Sequence, residues 1–561
     1  MNKNSALTAE INFQSAVTSA QDYIENFDIL ETINNVGNDE VFTPVKTCQK
    51  ILDSLPKEVW INPNFKWLNP SDKNGIFLRE IALRLDQGLQ FWELNKEKRR
   101  KHILTNMLYS FGLTKFTSMV ARRTVYYCSV ANKSFDGLKD ENNNSVNGFA
   151  IGNGSWFTDN EGNIKTPKAE HSFDNSNKCL FCGISKDSKY TSTTQVEHYA
   201  YEFLHTDNIQ QHVKKVFFGG NNMKFDVIIG NPPYQLSDGG AKASAKPLYH
   251  LFINQALKLN PRYLSMIIPS RWMAGGKGLD EFREKIINDH HFVEFHDYLN
   301  HEECFPNTNI TGGVCYFLWD SEHNGKCNFF SHREDGEVVK SVRFLNEGNY
   351  GILIRDQLQQ SILTKVISKD LNSFAEIVSS RKPFGLPGDF IKNPEKYGYP
   401  KITSPKLTGL KILSYDSGKR VVDEVSSDYP IKQGVEFIKK WKIFINEAYG
   451  DGILGNPIPT RILGTPQIGE PNEICTETFL LIGPFKTKKD CELTISYMRT
   501  KFFRFILGIK KVSQHITKSV YEFVPIMNLE TEITDKYLYK FFNLNKVEID
   551  YIERLIQDVE W

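Results

Sequence analysis

The sequence predicts an α/β protein: a doubly wound, Rossmann-like sheet with an inserted Cys/His subregion and a C-terminal mixed α+β domain. Three observations carry this. Short continuous apolar runs alternate with helical periodicities between Val41 and Ser331, the rhythm of strands linked by crossover helices. A Cys-x2-Cys pair, Lys178-Cys179-Leu180-Phe181-Cys182-Gly183, lies in a polar stretch that breaks this alternation. From about His332 the rhythm changes to short β-like runs broken by Pro and Gly, with helices returning at the end.

With 561 residues the chain has room for two or three domains. The boundaries expected are an N-terminal helical segment over 1–40, a catalytic-type α/β domain over 41–331 carrying an insertion at 129–194, a linker over 332–378, and a C-terminal domain over 379–561. A net charge of +1 neither demands nor excludes nucleic acid, because a basic cleft can hide in a neutral total. Nine cysteines without a charged-then-apolar leader point to a reducing cytosol. No apolar run approaches the ~20 residues of a membrane helix, so no membrane partner is expected.

Ala9–Ile33 has helical spacing and is read as a packing or lid helix. Thr43-Pro44 punctuates the start of an amphipathic helix over Val45–Leu55. Phe65–Leu78 reads as a strand, a tight loop around Asn69-Pro70-Ser71-Asp72 and Gly75, and a helix start whose backbone amides suit an anionic group. Asn106–Thr114 is the next strand and Thr117–Tyr127 the next helix, with Arg122-Arg123 expected on a solvated face, phosphate contact being the alternative. In the following polar stretch, Cys179 and Cys182 offer two thiolates to zinc; Cys128 and His171 complete a tetrahedral set, with His198 as a substitute. The competing reading is a reduced cysteine pair in a loop. A closed ligand set makes such a zinc structural.

Phe225-Asp226-Val227-Ile228-Ile229-Gly230 then has the look of a parallel strand buried on both faces. It stops at Asn231-Pro232-Pro233-Tyr234, where two prolines forbid both ladder donation and helix. A polar amide and an aromatic ring are thereby fixed at the carboxyl end of a strand, where ligands sit in open α/β sheets. This suits an exocyclic amine on a base, a poor nucleophile because its lone pair is delocalised. Asn231 Oδ1 and the Pro232 carbonyl could each accept one N–H and expose that lone pair, while Tyr234 stacks on the base as flipped bases are gripped. An ordinary strand-to-loop turn is the bland alternative. The glycine- and lysine-containing loop after Tyr234 is either a phosphate-ordered loop or a plain connector. Pro247–Leu259 and Asp280–Ile287 read as helices, and Tyr263–Ser270, Phe292–Leu299, Gly312–Trp319 and Cys327–Ser331 as further strands. Arg271-Trp272 is expected on the rim of the catalytic motif. Beyond these, Ile354–Ile367 is a linker helix. In 379–484, runs such as Lys411–Tyr415 and Trp441–Ile445 interleave basic and aromatic residues, as a nucleic-acid-reading surface does, or equally a protein-binding β module.

Asn-Pro-Pro-Tyr after such a strand resembles motif IV of amino-methyltransferases that use S-adenosylmethionine (AdoMet), and Phe65–Leu78 resembles their motif I. The order of motifs, with a long tail behind, is similar to gamma-class adenine-N6 DNA methyltransferases of restriction–modification systems. The likeness covers Val41 to about Asp320. It implies catalytic roles for Asn231, Pro232, Pro233 and Tyr234. It also implies AdoMet contacts from Thr43 and Pro44 (motif X), from Asn69, Ser71, Asp72 and Gly75 (motif I), and from Thr114, Asp207 and Asn231. Motif I departs from the family: the usual Gly-x-Gly is reduced to Gly75, and no carboxylate ends the second strand, so Thr114 or Glu80 must stand in. The resemblance implies duplex DNA with a flipped adenine as partner, lying between the catalytic and target-recognition domains, and a possible cognate restriction endonuclease. Four other readings stay open at this stage: cytosine-N4 methylation, glutamine methylation of release factors, a methylase fused to its nuclease, and an inactive methylase-like DNA-binding subunit.

Overall fold

The computed structural model describes residues 41–126, 131–132, 156–167, 170–186, 202–221, 223–235, 246–275, 278–306, 308–402, 409–416, 419–450, 453–528 and 530–561. The expected helix within 1–40, Cys128, His198 and the loop 236–245 lie outside them.

Nine strands form one sheet: β1 (Trp67–Asp72), β2 (Leu108–Gly112), β3 (Ile164–Lys165), β4 (Val227–Gly230), β5 (Tyr263–Pro269), β6 (Phe292–Tyr298), β7 (Val314–Asp320), β8 (Cys327–His332) and β9 (Val338–Arg343). Their order is β3-β2-β1-β4-β5-β7-β6-β8-β9. Pairs β1–β2, β2–β3, β1–β4, β4–β5 and β6–β8 are parallel, whereas β6–β7 and β8–β9 are antiparallel. Every residue of β1, β2, β4 and β5 is buried, and in β4 this shows in the sequence as an unbroken apolar run. At the far edge β9 alternates exposed and half-buried positions, as a strand with one wet face must. The chain divides into two compact units, Met1–Met266 and Ile267–Trp561, the division falling inside β5.

In the first unit the order of strands reverses between β1 and β4. The chain runs from β1 outward to β2 and β3, then returns to lay β4 on the other side of β1. In sheets of this kind the carboxyl ends of the strands at such a reversal, here β1 and β4, are the usual ligand position. Asp226 fixes the register, its Oδ2 accepting from Lys66 N (2.9 Å) and its N–H donating to Lys66 O (2.8 Å). Pro70 sits within β1, where it is tolerated because the β1–β2 ladder shifts register between Asn69 and Asp72. Part of the stretch expected as an insertion supplies β3. Asn163 Nδ2 donates to the carbonyls of Leu104, Thr105 and Leu108, and Arg122 donates to Ile164 O (2.7 Å) and Glu161 (3.1 Å). Arg122 therefore tethers an edge strand from a buried position; it is not on a solvated face.

In the second unit, the stretch expected as a linker begins with β9 and continues to the helix Gln357–Ile367, capped by Asp356. Two three-stranded sheets follow, β11 (Lys419–Val425), β10 (Leu410–Asp416), β14 (Glu473–Cys475), and β13 (Gln467–Gly469), β12 (Trp441–Asn446), β15 (Phe479–Phe485). The helices Lys488–Arg499, Lys501–Lys510 and Lys546–Leu555 close this region over a core that includes Tyr497, Phe502, Phe505 and Ile552.

Candidate active site

The carboxyl ends of β1 and β4 carry the residues that the sequence singled out. Gly230 ends β4 against Asn69: a Cβ built on it would lie 2.5 Å from Asn69 Oδ1 and 3.6 Å from Pro70 Cδ. Only glycine lets the two strand ends approach this closely. Asn231 follows, 3% exposed, with Pro232 and Pro233 buried behind it. The chain surfaces at half-buried Tyr234 and exposed Gln235.

Asn231 is aimed by its amide nitrogen. Nδ2 donates to Val41 O (3.1 Å) and to Thr43 Oγ1 (3.1 Å), both on the segment before the helix Val45–Asp53. A carbonyl can only accept, so the nitrogen must face Val41 and the oxygen must face the other way. That oxygen, Oδ1, is buried and has no hydrogen-bond partner among the described residues. Orphaned buried acceptors are rare because each costs about 1–3 kcal/mol. The backbone of Asn231 is held as well, its carbonyl accepting from Ser71 Oγ (3.2 Å).

The β1 end forms the other wall. Asn69 Oδ1 accepts from Ser71 N (3.1 Å), and Asp72 Oδ1 from Gly75 N (3.0 Å), closing the loop into the helix Ile76–Gly88. Gly75 has φ +80°, and a Cβ there would meet Ala121 O at 2.9 Å, so this one glycine is needed both for its conformation and for its lack of side chain. Asp72 is 1% exposed; burial pushes its carboxyl up to about 6 against the hydrogen bonds from Gly75 and Ser110. Asn74 Nδ2 is a second buried polar atom without a partner. Lys73 reaches back to donate to Val41 O (2.9 Å), and its ammonium lies 5.9 Å from the Tyr234 ring centre. Lys73 was not singled out from sequence, since a lysine in a polar loop carries no signal of burial.

Other expected residues are placed differently. The Thr114 hydroxyl, expected to hold a cofactor hydroxyl, is taken up in a reciprocal cap with Thr117 at the start of the helix Lys115–Tyr126. Glu80, the substitute, turns to Arg79 (3.0 Å) and Gln49 (3.0 Å). Asp207 is exposed, just before the helix Ile209–Phe218 that Asn208 caps. Pro44 is half-buried at the start of its helix.

Within the same unit, His171, Cys179, Cys182 and His205 bring one ligand atom each to within 4.8 Å of one another, a group that could hold a metal. Among the described residues His205 stands beside the three expected ones; Cys128 and His198 lie outside the described residues. Its spacing, 23 positions after Cys182, matches no ligand pattern. The tripeptide His205-Thr206-Asp207 drew attention only for its aspartate.

Asn231 Oδ1 and Asn74 Nδ2, buried and unpaired among the described residues, lie near a helix start and the Asp72 carboxylate, and fit a small charged cofactor and an amine-bearing acceptor. Sheet and site together place these polar groups where open α/β sheets hold their ligands. Comparison with known proteins agrees. A family model described as Eco57I restriction-modification methylase matches residues 106–305. An uncharacterized adenine-specific methylase of Mycoplasma pneumoniae is 43% identical over 379 residues, 64% of this chain and 87% of that one. The chain belongs to this adenine-specific methylase family of restriction–modification type. Among solved structures, the Type IIL restriction-modification enzyme MmeI in complex with DNA is similar at 11% identity over 88% of this chain and 68% of that one, TM-score 0.46. A nuclease-deletion mutant of the Type ISP enzyme LlaGI with a DNA substrate mimic is similar at 11% identity over 90% and 46%, TM-score 0.46. The chain spans about half the length of the LlaGI protein, and 48% of a chain from a type I restriction-modification complex. Among the described residues no helix is long and apolar enough to cross a membrane.

Proposed function

We propose that this chain transfers a methyl group from AdoMet to the N6 amino group of an adenine extruded from duplex DNA. On this reading it is the modification component of a restriction–modification or phage-defence system. The observation that carries the reading is the Asn231 side chain: nitrogen anchored twice, oxygen buried and unpaired.

AdoMet, when bound, supplies a methyl group on a sulfonium sulfur, ready for in-line displacement. Asp72, Asn69 and the helix start after Gly75 would hold its amino-acid end, with Thr43, Pro44 and Ser71 alongside. Asp207, exposed, is the candidate for its adenine, and Thr114 lies on the β2 side. Asn231 Oδ1 and the Pro232 carbonyl accept the two N6 hydrogens, which weakens delocalisation of the lone pair into the ring. No strong base is required, because N6 needs to release its proton only after the new bond forms. Pro232 and Pro233 keep this corner from relaxing, and Tyr234 covers the extruded ring face. Much of the rate gain on this account is positioning.

In the second unit a cavity of about 730 Å³ is lined by Arg381, Tyr415, Arg420, Asn446, Tyr449 and Thr465. Arginine, asparagine and aromatic side chains are the groups that read base edges and phosphates, which supports assigning 379–561 to target recognition.

The test is digestion and nucleoside analysis of DNA incubated with purified protein and AdoMet. N6-methyladenine is expected. Methyl groups on cytosine N4, or on protein glutamine only, would overturn the assignment.

A further inference from the structure

We propose that His171, Cys179, Cys182 and His205 form a structural zinc site that braces the base of the loop following the Asn-Pro-Pro-Tyr motif. The metal assignment stands independently of the methyl-transfer reading.

The geometry is that of a metal cage. Cys182 Sγ lies 3.7 Å from His171 Nδ1, and Cys179 Sγ lies 3.9 Å from His205 Nε2. A tetrahedral zinc with Zn–S of about 2.3 Å and Zn–N of about 2.05 Å has S···N edges of about 3.5 Å. The two observed edges are within about half an ångström of that value. The imidazoles of His171 and His205 stand edge to face, ring centres 4.4 Å apart, so that both converge on the thiols.

The local chain is built as a knuckle. Gly183 N donates to Cys179 O (2.8 Å) through a glycine at φ +76°, and Cys179 N donates to Ile184 O (2.8 Å). Both thiols are 3% exposed, so the pair is hidden from redox partners. Two thiolates and two neutral imidazoles balance a dication to zero net charge. The two thiol protons pass to solvent as the metal binds. Four protein ligands leave no open position, so the ion does no chemistry on substrate.

What the metal would join follows from where its ligands lie. Cys179 and Cys182 sit on the knuckle, whereas His205 comes from the segment before the helix Ile209–Phe218. Gln255 Nε2 holds that segment by donating to Phe203 O (3.3 Å) and Thr206 O (3.0 Å). On its other side the knuckle abuts Lys246: a Cβ on Gly183 would be 3.8 Å from Lys246 Cδ and Nζ. Lys246 is where the described chain resumes after the catalytic motif. There Gln235 bridges to Pro247, and Leu248 N donates to Tyr234 O (3.1 Å). Zinc would thus fix the knuckle between the His205 segment and the foot of the Tyr234 loop.

The experiment is metal analysis of full-length protein purified without chelator, followed by exchange into cobalt. One zinc per chain is expected, and the cobalt form should show thiolate-to-metal charge transfer and tetrahedral d–d bands. His205→Ala and Cys179→Ser should lose the metal, Cys128→Ser should keep it, and His205→Cys should keep it with stronger charge transfer. Amide exchange at Leu248 should quicken when zinc is removed. Absence of zinc even after refolding with zinc chloride, retention in His205→Ala with loss in Cys128→Ser, or unchanged Leu248 protection would each overturn the proposal as stated.

Discussion

Asn231→Ala separates the proposed role of this residue from an architectural one, because its effects on stability and on chemistry differ in size. In the folded protein the amide makes two hydrogen bonds through Nδ2 and none through Oδ1. Deleting the two bonds removes about 0.5–1.5 kcal/mol each, while deleting the unpaired oxygen recovers about 1–3 kcal/mol. Val41 O is not left orphaned, since Lys73 still donates to it at 2.9 Å. The balance is a change in unfolding free energy of less than about 2 kcal/mol, of either sign. Methyl transfer should instead fall by at least about 10²-fold, the cost of removing one preorganised hydrogen-bonding group from a reacting centre. Urea unfolding of the two proteins gives the first quantity. Single-turnover transfer of a tritiated methyl group to duplex DNA gives the second. A variant destabilised by more than about 3 kcal/mol, or one retaining activity within tenfold, would refute the reasoning.

Further expectations follow from neighbouring residues. Gly230→Ala places a methyl group 2.5 Å from Asn69 Oδ1, so β1 and β4 must part at their ends; a loss of about 1–3 kcal/mol and weakened AdoMet binding by calorimetry are expected, and unchanged affinity would count against these strand ends as cofactor site. Asp72 is raised to about 6 from the ordinary 3.8, so folding disfavours its charged form; stability should be intact below about pH 4 and decline as pH rises through 6. Asp72→Asn should flatten that slope in melting curves taken from pH 4 to 7, and parallel curves for the two proteins would exclude the cause. In the second unit Asp297 is 1% exposed and takes two guanidinium bonds from Arg355 (2.6 and 2.7 Å) and one from Ser270 (2.7 Å). Arg355→Ala should cost about 3–5 kcal/mol in urea unfolding by leaving that buried carboxylate without its countercharge; a loss below about 1 kcal/mol would show that the pair is not buried in solution.

The sheet's central strands were legible because burial on both faces leaves an unbroken apolar run, as in Val227–Gly230, and because prolines mark where the run must stop. The edge was not. Val338–Arg343 alternates between exposed and half-buried, which resembles a polar linker unless its partner β8 is known. Proline within a strand normally argues against a central position, yet Pro70 is accommodated by a register shift that no local pattern announces. In the site, residue types could be picked from the motif, but the partners that aim them are tertiary. Thr114 was chosen for a hydroxyl whose bonds are spent on its own helix start. Asp72 was chosen for its charge, although the same carboxylate closes the loop onto Gly75 N. The fourth member of the Cys/His group escaped because metal ligands are recognised by spacing, and His205 is supplied by a different segment of the fold.

The two acceptors that aim Asn231 lie 190 and 188 positions ahead of it. As the chain leaves the ribosome, the segment around Val41 and Thr43 must therefore wait for four strands to be made and for β4 to arrive before it finds its bond. Long-range closures of this kind are late and slow. A shortened protein beginning after Pro44 would be expected to fold its sheet and still present a wrongly turned amide. Competence for chemistry would then wait for β4 to be made, and would be lost with the segment around Val41 and Thr43.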